Sequence, residues 1–431
     1  MKHYLRVFSK NIYVLVAVVV AVHALLNMLG NTLERDAIGD VVNVYAPWAD
    51  SIHPHTKWLG VAAPWVYPFV AWVPILIAHW LLPFDYLKSW VVMATLLNLI
   101  AVGQLVAWGR RPAAFKAAWF YLLFLALLGP VAITRLDGIS ASLAILGIAG
   151  IVTVAATADR AAGIAARASG SFSISIAWFT LAAWLKVWPL ALVLAVLQKG
   201  RNFRKQLFVI GATCAGILGV GVLLGGDANL FSFITMQSDR GLQVESPVAG
   251  IWVFLAFFRL NNALIYFDEP LMTYQVSGDG AKLVASLMTL ALAVAISITA
   301  WLIFKALRAG ADTYRLIALA SLTATLDLIV FNKVGSPQYQ LWLAAPVMLG
   351  LALGLKNWRK PTVAVLSLGL LTQLVYPIFY VDLVSGLAPG AVLILGLRNL
   401  LLIALLVWAN VQLGKLGKQS RTLPRRASIR N

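Results

Sequence analysis

The chain has 431 residues, 61% of them hydrophobic and 12% charged, with a formal net charge of +18. Soluble domains carry about 25% charged residues, so a single water-soluble domain is excluded. The excess of Lys and Arg is parcelled between apolar runs, the pattern of anionic-lipid contacts rather than of nucleic-acid binding.

Apolar runs long enough to cross about 30 Å of hydrocarbon recur along the sequence. Ten full spans are predicted, at 11–29, 88–108, 113–133, 138–158, 206–225, 282–304, 314–331, 340–355, 362–380 and 388–411. The first follows a basic leader. Its apolar stretch outlasts that of a secretory signal and no small-x-small site follows, so it reads as a retained span. Two segments break the parity. Residues 172–197 are apolar with basic flanks on both sides, which requires an even number of crossings; two half-depth helices meeting at Lys186-Val187-Trp188-Pro189 form a re-entrant hairpin. Residues 65–82, rich in Trp, Tyr and Pro, are expected to lie in the interface, where aromatic rings settle. Cys214, the one cysteine, lies in an apolar run, which removes a disulfide framework and a cysteine metal site.

Charge sets the expected orientation. Seven connections (2–10, 110–116, 160–167, 199–205, 305–315, 356–360 and the tail from 415) hold 24 of the 34 Lys and Arg, and basic span ends stay cytoplasmic. Of 16 acidic residues, 13 fall in the opposite loops, an independent agreement. The expectation is an inner-membrane protein with both termini cytoplasmic and its working face extracytoplasmic. It forms one all-α transmembrane module over 1–414, with a basic tail over 415–431. Loops 30–87 and 226–281 supply the active-site face.

The candidate residues lie in these loops, in the shorter outer loops 134–137 and 332–339, and at the hairpin apex. Asp36 and Asp40 follow the first span, where a lipid-borne substrate presents its head group, and either could serve as general base. Asp137 lies in Thr134-Arg135-Leu136-Asp137-Gly138, where pairing with Arg135 is the plain alternative. Asp239, Gln243 and Glu245 belong to a polar island, and Gln338 and Tyr339 to a short turn after Lys333; these are candidate substrate contacts. Lys186, at a hairpin apex in the membrane, calls for a cavity or a partner, because a charge there is costly. With Arg240, Lys333 and Arg135 it forms a set of outer cations suited to a phosphate. His53-Pro54-His55 has no further ligand cluster nearby, so no metal or other cofactor is indicated. Gly-rich phosphate loops and nucleophile elbows are missing, which argues against an ATP-driven pump or a hydrolase.

The order of parts resembles the GT-C membrane glycosyltransferases, and more narrowly glycosyltransferase family 87, the actinobacterial polyprenol-phosphate-mannose-dependent mannosyltransferases. The similar stretches are Gly39-Asp40 with Val44-Tyr45, Arg135-Leu136-Asp137, Leu185-Lys186-Val187-Trp188-Pro189, Ser238 to Ser246, and Lys333 to Tyr339. The chain departs from the family at Val66-Tyr67-Pro68-Phe69, where relatives often carry Tyr-Pro-Pro. The resemblance implies inverting transfer of mannose from polyprenyl-phosphate-mannose to a hydroxyl of a glycolipid acceptor, with Asp40 as base and Asp36 in reserve. The alternative is a secondary transporter or lipid-carrier flippase, favoured by the broken hairpin.

Overall fold

The computed structural model describes residues 9–33, 37–53, 57–82, 84–161, 172–197, 202–236 and 240–419. Apolar runs become helices wherever nothing interrupts them, and side-chain caps fix several starts. The Asn11 carboxamide accepts from the Tyr13 N–H (2.8 Å) ahead of α1 (Ile12–Thr32). After α2 (Trp72–Leu81), the Asp85 carboxylate accepts from the Lys88 N–H (2.9 Å) ahead of α3 (Tyr86–Leu105). Next come α4 (Phe115–Leu128), α5 (Leu136–Ala161), α6 (Ser173–Leu185), α7 (Leu190–Val196), α8 (Phe203–Leu223) and α9 (Gly250–Phe257). The bundle is completed by α10 (Ala281–Arg308), α11 (Thr313–Val330), α12 (Ala344–Ala352), α13 (Arg359–Gln373), α14 (Tyr380–Gly386) and α15 (Pro389–Gln419).

Eight of these stretches are long and apolar enough to cross a membrane. The chain is therefore a helical, multi-pass membrane protein. Two of the ten expected spans are shorter than predicted. The span expected at 113–133 is the 14-residue α4, stopped by Gly129 at φ +82 and by Pro130. That is about 21 Å of helix, short of the hydrocarbon thickness. The span expected at 340–355 is a 3-10 turn over Pro337–Leu343 followed by the nine-residue α12. Most of their side chains are packed inside the bundle, so their apolar runs report core as much as a lipid-facing surface.

The chain does break at Lys186, whose φ of −154° and ψ of 128° end α6; Pro189 then opens α7. Phe172 stacks edge-on to Tyr314 where α11 begins, and Lys186 at the other end of α6 reaches Asp137 where α5 begins. At the far end of α8, Gly221 abuts Phe69 of the aromatic segment. The chain thus climbs through α6 and comes back before α8 starts, as a hairpin must. The ten-residue α2 lies against the start of α3, with the Ser89 hydroxyl donating to the Ala78 carbonyl and Tyr86 Oη to that of Ile75 (3.2 Å).

The loop over 226–281 also contains a small antiparallel sheet that composition did not announce: β1 (Leu242–Gln243), β2 (Leu264–Asp268) and β3 (Thr273–Ser277), in the order β1-β3-β2. Long-range bonds gather the acidic loops at one end of the bundle. The Trp65 N–H donates to Ser232 Oγ (2.9 Å), Thr134 Oγ1 to the Ala37 carbonyl (2.8 Å) and the Gln243 N–H to the Lys333 carbonyl (3.0 Å). At the opposite end Trp119 donates to the Ser9 carbonyl (2.7 Å), and Gly417 lies beside Lys305. The partition into two sets of loops is a property of the fold.

Candidate functional site

Asp40 opens a tight π-helical turn, Asp40–Tyr45, which runs directly into a short helix over Ala46–Asp50. The Thr134 bond to Ala37 holds that loop over the α4–α5 turn, and Arg135 Nε meets Asp40 Oδ2 at 3.2 Å. Asp40 keeps about a third of its side chain exposed (34%) while Arg135 is buried (8%). Burial works against the Arg135 charge, but the Asp40 carboxylate together with Tyr376, Tyr45 and Tyr67 outweighs it, and the guanidinium is held above its usual range.

A second pair lies beside the first. Asp137, in the first turn of α5, accepts from Trp342 Nε1 at 2.7 Å on one carboxylate oxygen and meets Lys186 Nζ at 3.4 Å on the other. Lys186 Nζ also sits over the Tyr67 ring, 4.5 Å from its centre. Instead of the alternative Arg135–Asp137 pair there are two crossed pairs, Arg135 with Asp40 and Lys186 with Asp137. Tyr67 ties them together: burial pushes its phenol up, Lys186 pulls it back, and the charges of Asp40 and Asp137 push it up again. Ring stacking completes this floor, Trp188 on Trp342 (5.9 Å) and Tyr339 on Trp342 (4.1 Å).

A cavity of about 350 Å³ opens from this cluster. Lys186, Tyr67 and Tyr339 line it with Asn332 and Lys333, and apart from Thr289 the rest of its wall is largely apolar, including Met288 and Leu292 of α10 and Leu328 of α11. It is polar and cationic at the loop end and greasy toward two long helices. Lys186 therefore has both the partner and the cavity that its position demands.

The other predicted residues divide. Arg240 lines a neighbouring cavity rather than this one, and Lys333 lines both. Gln338 is half-buried on the same 3-10 turn as Tyr339. Gln243 and Glu245, expected as substrate contacts, staple loops together. The Gln243 side-chain oxygen accepts from the Gly335 N–H (3.2 Å) and from Ser336 Oγ (3.4 Å), which fixes the turn carrying Lys333. Glu245 is 1% exposed and faces Arg398 of α15, whose guanidinium donates to the Glu245 carbonyl and to Asn399 Oδ1 (2.8 Å). Burial pushes the Glu245 carboxyl up to about 7, against the opposing pull of Arg398. Asp36 and Asp239 lie outside the described residues.

Arg398 is the residue that sequence reasoning missed. The signal was present, since a lone arginine interrupts an otherwise apolar final span, and an ionisable group there marks a functional or tightly paired position. Among the described residues no three His, Cys, Asp or Glu side chains gather as a metal would need. No family model, curated protein or solved structure matches this chain, so the geometry carries the functional assignment.

Proposed function

We propose that the chain is an inverting membrane glycosyltransferase that takes its sugar, mannose on the resemblance, from a polyprenyl-phosphate carrier and passes it to a glycolipid hydroxyl at the extracytoplasmic face. The carrying observation is the amphiphilic cavity, cationic at Lys186 and Lys333 and apolar along α10 and α11. That gradient matches a phosphate head on a lipid tail. In this reaction the acceptor oxygen attacks the anomeric carbon, the bond from that carbon to the phosphate oxygen breaks, and polyprenyl phosphate departs. Asp40, partly exposed, oriented by Arg135 and within electrostatic reach of Tyr67 on the cavity wall, takes the acceptor proton. Lys186 and Lys333 meet the charge that develops on the leaving phosphate.

The test is to incubate the purified protein with radiolabelled polyprenyl-phosphate-mannose and envelope glycolipids. Label appearing in a glycolipid supports the assignment; label that stays wholly on the carrier contradicts it.

One observation favours the transport alternative. Besides the break at Lys186, the helical stretch that begins with α13 loses helical geometry at Tyr376 (φ −138°, ψ 122°), and paired interruptions are a feature of transporters. Tyr376 lies within electrostatic reach of Arg135, so this second break borders the same cluster and equally suits a site wall. Counterflow of a solute or carrier lipid in proteoliposomes, without chemical turnover, would select transport.

A further inference from the structure

Arg398 is fully buried in the apolar final helix and lines neither cavity, so the chemistry above gives it no part. A charge in a span is costly, and a buried one can often be exchanged for an apolar side chain without loss of stability. The network around it is also only half satisfied. Arg398 Nη1 and Glu245 Oε2 are both buried without a hydrogen-bond partner among the described residues. Stability is a poor account of such a network, and placement of another group is a better one.

What Arg398 holds is the Glu245–Ser246 peptide. Its guanidinium donates to the Glu245 carbonyl, and Asn399 Oδ1 orients it by accepting from Nε (3.1 Å) and Nη2 (2.8 Å). Asn399 Nδ2 reaches the next carbonyl, that of Ser246, at 3.5 Å. The held peptide bears directly on Gly335, where even a Cβ would collide with it. Gln243 ties the same two segments, its N–H donating to the Lys333 carbonyl (3.0 Å) and its side-chain oxygen accepting from the Gly335 N–H (3.2 Å). The Ser246 N–H closes on the Gln243 carbonyl at 2.9 Å, so Gln243 and the held peptide form one tight turn. From this unbroken series of contacts we infer that Arg398 is a positioning residue: it clamps the Glu245–Ser246 peptide to α15 and thereby sets Lys333 at the cationic end of the first cavity. The inference rests on the transferase reading for what Lys333 meets, but not for the clamp. At 31 residues α15 is a long post for a loop to be fixed to. The planar fork of an arginine holds a carbonyl and a carboxamide in one geometry, which a lysine does not reproduce.

The test uses the full chain in nanodiscs and reads hydrogen exchange at the Gln243 and Gly335 amides, the two stitches of the Lys333 turn. Arg398→Met removes the fork. Asn399→Ala keeps the charge, removes only its orienting acceptor, and serves where the first variant does not fold. Each is expected to speed exchange at those amides by about tenfold, the worth of one charge-assisted hydrogen bond. Tyr121→Phe, which deletes the buried bond from Tyr121 Oη to Asn98 (2.6 Å) between α4 and α3, should lower the melting temperature and leave those amides unchanged. Transfer kinetics give a second reading. KM for polyprenyl-phosphate-mannose should rise by about tenfold in the Arg398 and Asn399 variants, whereas loss of folded protein alone lowers only the apparent kcat. In a Lys333→Gln background the same substitutions should add little, because they act through that side chain. Wild-type exchange at both amides in the variants, equal acceleration by Tyr121→Phe, or full additivity with Lys333→Gln would overturn the inference. Accelerated exchange in a protein that transfers no sugar would remove the transferase assignment and leave the clamp standing; sugar transfer with unchanged exchange would do the reverse.

Discussion

Lys186 and Asp137 show why a charge survives among so many apolar side chains. Each is buried, at 15% and 1% exposure, and each neutralises the other. Removing one partner of such a pair costs about 3–5 kcal/mol, because the survivor is left uncompensated. Lys186→Met should therefore lower the thermal transition sharply, whereas Lys186→Met with Asp137→Asn should recover most of the loss yet stay inactive. A single variant that melts like the wild type would show that the pair contributes little. Glu245 gives a prediction in pH. Its folded pKa, about 7, lies above the usual carboxylate value of 4.5, so its neutral form is favoured by folding. The stability it contributes is complete below about 4.5 and is lost as pH rises through 7. Melting curves in detergent should fall between pH 5 and 8, and Glu245→Gln should flatten that slope; an equal slope in the variant would exclude Glu245 as its source. The chemical character of these residues was legible beforehand, but their partners were not, because pairing across the fold leaves no trace in spacing. Arg135 and Asp137 are two apart in sequence, yet each pairs with a residue from another element.

The elements that strong local signals define were readable in advance. Lys186 to Pro189 marks its own break, since the residue before a proline is pushed out of the helical region and the charge resists the membrane. α4 and α12 were read too long because hydropathy cannot tell a lipid-facing helix from one buried among its neighbours. The sheet escaped notice because β1 is two residues long and β2 and β3 alternate too weakly to stand out from a loop. Among the described glycines, Gly335 is where backbone comes nearest: a Cβ there would come within 2.2 Å of the Ser246 backbone nitrogen. Backbone cannot give way as a side chain can, so Gly335→Ala should push the Lys333 turn off the Gln243 staple. A fall in melting temperature of several degrees, with weakened donor binding, is expected. A wild-type melting curve and wild-type donor affinity would show that the staple does not hold Lys333.

On the scale of the whole molecule, the fold sorts its loops into two ends, and charge predicts which end faces the cytoplasm. In a Cys214→Ser background, Ala228→Cys should react with an impermeant maleimide on intact cells, and Lys356→Cys only after permeabilisation. The reverse pattern would place the cavities on the cytoplasmic side and remove the extracytoplasmic assignment. The long loops, the cationic hairpin apex and the greasy wall of the first cavity are the grounds for the proposed act, sugar transfer with Asp40 as base. That act is tested most directly by comparing Asp40→Asn with the wild type in nanodiscs supplied with radiolabelled polyprenyl-phosphate-mannose and envelope glycolipids. The account predicts that the wild type labels a glycolipid and that the variant, melting near the same temperature, loses on the order of 10²–10⁴-fold in rate. Transfer by Asp40→Asn at the wild-type rate would contradict it.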